Sequence, residues 1–121
     1  MKPRKFAYVC CPHKGSRYYN ARKTLAYCRK VYKLGYIPVC PWVMFPFLDS
    51  ADAAEHTDAM EMAKSLIRRF GVFILTGPFT TRQMREENDL AKSLGKHRTT
   101  LDGVMLIEMY EGQPVMEDED D

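Results

Sequence analysis

The sequence predicts an α/β domain in which a mainly parallel sheet of about four to five strands lies between layers of helices. Three observations carry that expectation. Short β-type runs, Phe6–Cys10, Tyr36–Cys40 and Gly71–Thr76, alternate with stretches of helical periodicity. The run GVFILT at 71–76 is apolar at almost every position, as a central strand covered on both faces must be. Pro and Gly fall between the runs, at Pro12, Gly15, Gly35, Gly77, Pro78 and Gly95.

Taken in order, Phe6–Cys10 reads as a buried first strand that stops at a Pro/Gly loop. The first helix is expected from about Tyr18 to Leu34. Ala21, Leu25, Cys28 and Tyr32, spaced i, i+4, i+7 and i+11, form its expected inward face, and Gly35 ends it. Tyr36–Cys40 is the second strand, breaking into the apolar loop Pro41–Phe47. A second helix spans roughly Ala53–Phe70, with Met60, Ala63, Ile67 and Phe70 inward. Gly71–Thr76 is the third strand, and Gly77-Pro78 turns the chain. Thr80 or Thr81 caps a third helix that runs to about Leu94 and stops at Gly95. His97–Thr100 and Val104–Tyr110 are the expected fourth and fifth strands. Residues 1–110 then form the domain, and 111–121 an acidic tail expected to be disordered.

At 121 residues, 45% hydrophobic and 28% charged, the chain is sized for one domain with a core that needs no disulfides. No apolar stretch approaches the roughly 20 residues of a membrane span, and the first apolar run is too short for a signal peptide. A cytoplasmic protein without membrane association is expected. Cys10, Cys11, Cys28 and Cys40 lack Cys-x-x-Cys spacing and read as reduced thiols. Pairing Cys11 with His13 on a metal is a remote alternative, so neither metal nor cofactor is expected. Residues 1–48 hold ten Lys/Arg and no acid, whereas 49–121 hold eight Lys/Arg and all sixteen acids. The basic half suits nucleotide phosphates, or equally an acidic neighbour or partner subunit. No nucleic-acid recognition motif is present, and nucleic acid is not an expected partner.

Two places could carry chemistry. The first is the strand-to-helix turn, where Cys11, His13, Lys14, Gly15, Arg17 and Asn20 would lie at the carboxyl edge of the sheet, the usual ligand side of such folds. Its amides and cations suit an anionic or sugar-like group, with solvated loop side chains as the plain alternative. The second is Glu87. It shares the stripe of Met84, Ala91 and Leu94 on the third helix, and a carboxylate on a core-facing position costs free energy unless it is paired or used. Pairing at the rim with Lys14, Arg17 or Arg82 is the competing reading. Trp42, Phe45 and Phe47 could stack on a base, form a subunit interface, or simply cover the sheet edge. No P-loop, dinucleotide glycine fingerprint or His-Glu-x-x-His segment occurs.

The order Tyr8-Val9-Cys10-x-Pro12-x-Lys14-Gly15, Asn20, Ala26-Tyr27-Cys28-Arg29, Gly35-Tyr36-Ile37-Pro38-x-x-Pro41, Phe45-Pro46, Gly77 and Met84-x-x-Glu87-x-x-x-Ala91 resembles a family of small, often phage- or prophage-encoded proteins. That family is in turn similar to the nucleoside 2-deoxyribosyltransferases, and the resemblance covers about residues 6–96. It implies a flavodoxin-like or Rossmann-like three-layer fold, a nucleoside or nucleotide ligand and a homo-oligomer. It also implies that Glu87 attacks the anomeric carbon with support from Tyr8, as a retaining glycosidase does. Cys11, His13, Lys14, Gly15, Arg17, Asn20, Trp42, Gly77 and Met84 are the ligand-contacting positions it suggests. Gly71 and roughly Ala63 stand where the transferases carry acids, Trp42 where relatives carry His, and Gln83 and Asn88 flank the glutamate atypically. The alternative expectation is a non-catalytic, phage-encoded binder of a nucleotide-derived signal that modulates a host pathway.

Overall fold

A computed structural model of the chain describes residues 3–12, 17–49, 51–101, 111–112 and 115–116. The order of elements is β1 (Phe6–Cys10), α1 (Arg17–Lys33), β2 (Ile37–Val39), α2 (Pro41–Met44), α3 (Ala53–Arg69), β3 (Val72–Leu75), β4 (Thr80–Thr81), α4 (Arg82–Ser93), β5 (His97–Thr100) and β6 (Val115–Met116). Four strands form a sheet in the order β2-β1-β3-β5, with every described pairing parallel. The expected α/β architecture, with helices on both faces of a parallel sheet, is what the chain adopts. The expected strand at Val104–Tyr110 lies outside the described residues.

Alternation along β1 and β3 divides the core into two layers. Tyr8, Cys10, Phe73 and Leu75 pack against Ala63 and Ile67 of α3 and Met84 and Ala91 of α4. Ala7, Val9, Cys11, Val72 and Ile74 pack on the other face against Val31 of α1 and Cys40, with Tyr27 and Cys28 beside them. Burial of β3 on both faces accounts for its unbroken apolar sequence. On α3, Ala63 and Ile67 are buried as expected. Phe70, which caps that helix, stacks on Phe6 with centroids 5.0 Å apart.

The inward face of α1 is not the expected one. Leu25 and Tyr32 are 56% and 50% exposed and Ala21 is exposed, whereas Thr24 and Val31 are buried. Only Cys28 of the expected set packs against the sheet. Thr24 is drawn inward by the Cys11 thiol, 3.6 Å from its Oγ1. Tyr32 instead lies under the Arg4 guanidinium, 4.5 Å from the ring centroid, and Arg4 also donates to the Tyr32 carbonyl. The N-terminal segment therefore covers part of the face that helical spacing alone assigns to the core.

Three further features position the site. The apolar segment after β2 begins with the short helix α2, whose first residue is a proline that needs no N–H partner there. Thr81 caps α4 by accepting from the Met84 amide at 3.2 Å, which fixes where that helix starts. Thr80 and Thr81 pair with Val115 and Met116, so part of the C-terminal segment runs beside the start of α4. Among the described residues no helix is long and apolar enough to cross a membrane.

Candidate functional site

The site grows from the alternation of β1. Its even positions face α3 and α4, so Tyr8 and Cys10 enter the same layer. The Tyr8 ring lies parallel to that of Phe73 on the adjacent strand, 5.5 Å between centroids, which sets the direction of its hydroxyl. The helix α4 turns Met84, Glu87, Asn88 and Ala91 inward. Glu87 is only 5% exposed, so the carboxylate on the apolar stripe is a buried group. Tyr8 donates its hydroxyl to Glu87 Oε1 at 2.7 Å, and Gln83 Nε2 donates to Oε2 at 3.1 Å.

These partners are neutral and only partly offset the burial of the carboxyl. Burial pushes Glu87 from the ordinary 4.5 up to about 7, while the bonds from Tyr8, Gln83 and the Cys10 thiol pull it partly back. Burial, reinforced by the Glu87 charge, holds the Tyr8 hydroxyl well above the usual phenol range, so it remains a donor. The same two causes raise Cys10, which stays a thiol. The result is a carboxylate near half ionisation at neutral pH, with both oxygens fixed. A group so poised can act as a nucleophile or exchange a proton.

At the carboxyl end of β3 lies a small open depression lined by Leu75, Thr80, Arg85, Asn88 and Glu111, with Glu87 not among its lining residues. Its polar wall is a charge cluster. Arg98 Nη1 donates to Asn88 Oδ1 at 3.2 Å and to Glu111 Oε1 at 3.0 Å, and Lys92 Nζ is 3.5 Å from Glu111 Oε2. Arg85 donates to the Glu111 carbonyl at 2.6 Å. The bond from Arg98, aided by Lys92, holds the Glu111 carboxyl below the usual range. No group of three or more His, Cys, Asp or Glu among the described residues is arranged to hold a metal ion.

Residues 5–100 match the model of a domain of unknown function, DUF7768. The chain belongs to that family. No curated protein matches it. The DUF7768 match begins just before β1 and ends at β5, so it takes in the whole parallel sheet and the Tyr8–Glu87 pair.

Within this DUF7768 domain the other candidate residues are dispersed. Cys11 lies on the opposite face of the sheet from Glu87, in the layer of α1. Met84 is a core residue beneath Glu87. Trp42 is partly exposed on α2. Gly77 has φ +87°, and a Cβ there would meet the Pro12 ring at 2.5 Å, so the position requires glycine for backbone conformation and for the close approach of Pro12. His13, Lys14 and Gly15 lie outside the described residues, as do the side chains of Arg17 and Asn20. Of the acids on α3, Asp58 and Glu61 are exposed, and Glu61 pairs with Lys64.

Two members of the Glu87 environment escaped selection as site residues. Gln83 stands one helical turn before Glu87 on the same face, a spacing readable from sequence. Cys10 is two residues from Tyr8 on a strand and therefore shares its side. Asn88 and Arg98 had no comparable signal, because their contact depends on how α4 crosses β5.

Proposed function

We propose that the protein binds nucleosides or nucleotides and cleaves or exchanges their N-glycosidic bond through Glu87. The observation that carries this reading is the buried hydrogen bond of 2.7 Å from the Tyr8 hydroxyl to Glu87, a carboxyl that burial holds up to about 7. The motif resemblance to the nucleoside 2-deoxyribosyltransferases supports it. In this reading the ionised Glu87 attacks the anomeric carbon and forms an ester to the sugar. The N-glycosidic bond breaks, and its electron pair leaves with the base, which takes a proton from water. A second base or a water molecule then displaces Glu87. Tyr8 holds one carboxylate oxygen so that the other faces the substrate. Gln83 must release that second oxygen or lend it only a weak bond.

A non-catalytic binder of the same ligand class is the second reading, and a specific observation favours it. The α3 position at which the transferases carry an acid is here Ala63, buried in the core, and Gly71 is exposed and carries no side chain. No described acid other than Glu87 faces this layer to protonate a departing base. Incubation of the protein and Glu87→Ala with deoxyribonucleosides, nucleoside monophosphates and dinucleotides, followed by detection of free base, separates the two. Release that is lost in the variant supports catalysis. Thermal stabilisation by one of these compounds without release supports the binder. On either reading the ligand site belongs to a cytoplasmic protein, and the exposed Trp42, Val43, Met44 and Phe47 favour self-association.

A further inference from the structure

The cations around Glu111 form an arrangement that glycosidic chemistry at Glu87 does not use. Tyr8 pairs in register with Phe73, and Phe73 with Arg98, so Arg98 of β5 rises from the sheet face on which Tyr8 and Glu87 meet. Its guanidinium is held by Asn88, a buried residue of α4, whose Oδ1 accepts from Nη1 at 3.2 Å. The same Nη1 donates to Glu111 Oε1 at 3.0 Å, and Lys92 Nζ stands 3.5 Å from Oε2. Arg85 donates to the carbonyl of the same residue. Two cations therefore straddle the two oxygens of one carboxylate, with a third donor on its backbone. Arg85, Asn88 and Glu111 also line the open depression at the carboxyl end of β3. The three cations and Asn88 lie within the DUF7768 match at 5–100, whereas Glu111 lies beyond it.

We propose that Arg98, Lys92 and Arg85 form a binding site for a phosphate group, and that Glu111 occupies it as an internal substitute which the phosphate displaces. A carboxylate offers two oxygens and one negative charge. A phosphate monoester offers three oxygens and about −1.5 to −2 charge at pH 7, so it gains more from the same cations. The fork of Arg98, already fixed by Asn88, suits such an oxyanion without reorganising. Lifting Glu111 away costs little. The Lys92 side chain is 60% exposed, and ion pairs that face solvent contribute little to stability. Glu111 remains an anion in either position, because its cations lower its pKa while it is seated and water solvates it when released. In its nucleotide form this site rests on the function proposed above and narrows it: of nucleosides and nucleotides, the cations select the nucleotide.

The test is calorimetric titration of the full chain and of Glu111→Ala, at neutral pH and fixed ionic strength, with inorganic phosphate, deoxyadenosine monophosphate and deoxyadenosine. Inorganic phosphate should bind Glu111→Ala about tenfold more tightly than the wild type, the factor expected if Glu111 leaves the site open in about one molecule in ten. The monophosphate should show the same gain, and deoxyadenosine, which has no phosphate, should show none. Adding Lys92→Gln to Glu111→Ala should weaken phosphate binding several-fold, and because Lys92 is exposed this variant keeps its fold. Adding Arg98→Gln should weaken it further. Equal phosphate affinity in the wild type and Glu111→Ala overturns the proposal. So does phosphate binding that Lys92→Gln leaves unchanged, or no phosphate binding by either protein. The two readings fail separately. Phosphate binding without release of base from the monophosphate supports this site while removing catalysis by Glu87. Release of base from deoxyadenosine without phosphate binding does the reverse.

Discussion

Two carboxylates flank α4 in opposite surroundings. Glu87 faces inward among a phenol, an amide and a thiol. Glu111 lies across the helix against Arg98 and Lys92, with Arg85 on its carbonyl. Neutral donors do not repay the desolvation of Glu87, so its proton is held up to about 7. Charged donors stabilise the anion of Glu111 and lower its pKa. The same side chain is a poised group in one place and a permanent counter-ion in the other. The difference lies first in burial, which is almost complete for Glu87 and only partial for Glu111, and then in the charge of the partners.

The two acids should therefore give pH dependences of opposite sign. Glu87 holds its proton more tightly folded than unfolded, so its stability contribution is fullest below about pH 4.5 and is lost as pH rises through about 7. Across that window the loss amounts to about 3 kcal/mol. The largest expected effect is accordingly that of Glu87→Gln. In urea titrations at pH 8 it should be more stable than the wild type by an amount of that order, and the slope across pH 4.5–7 should disappear, along with any base release. An unchanged slope would break the comparison at its root.

Tyr8→Phe comes next. It removes a bond to the charged form, a loss of about 1.5–3 kcal/mol at pH 8 that should shrink at pH 5, where Glu87 is protonated. Any base-release profile should shift to higher pH, because the anion has lost a donor. Gln83→Ala should act in the same direction but more weakly, by about 1 kcal/mol, since Gln83 is only part-buried and its bond is longer. Glu111→Gln should change stability by less than about 1 kcal/mol, an effect that shrinks in added salt. Its sign is reversed. The lowered pKa of Glu111 stabilises the fold above the unfolded carboxylate pKa, and that contribution fades as pH falls.

Much of this was legible in the sequence, unevenly. The parallel sheet follows from GVFILT and the alternation of strands with helices, and the burial of Glu87 from its place between Met84 and Ala91. Tyr8 as its partner came from motif resemblance, because no local rule joins residues 79 positions apart. The α1 face was misread because apolar residues occupy two sides of that helix. The contacts that separate them, Arg4 with Tyr32 and Cys11 with Thr24, are tertiary. The β4–β6 pair, two residues on each strand, is too short to leave a periodic trace. The Glu111 cluster depends on side chains from three segments meeting at one point.

The most direct test of the central claim is a carbon-13 NMR titration of the Glu87 carboxyl, assigned by comparison with Glu87→Gln. The expected midpoint is near 7 in the wild type, displaced upward in Tyr8→Phe. A midpoint near 4.5 in both proteins would contradict it, and would return Glu87 to the ordinary behaviour of a solvated acid.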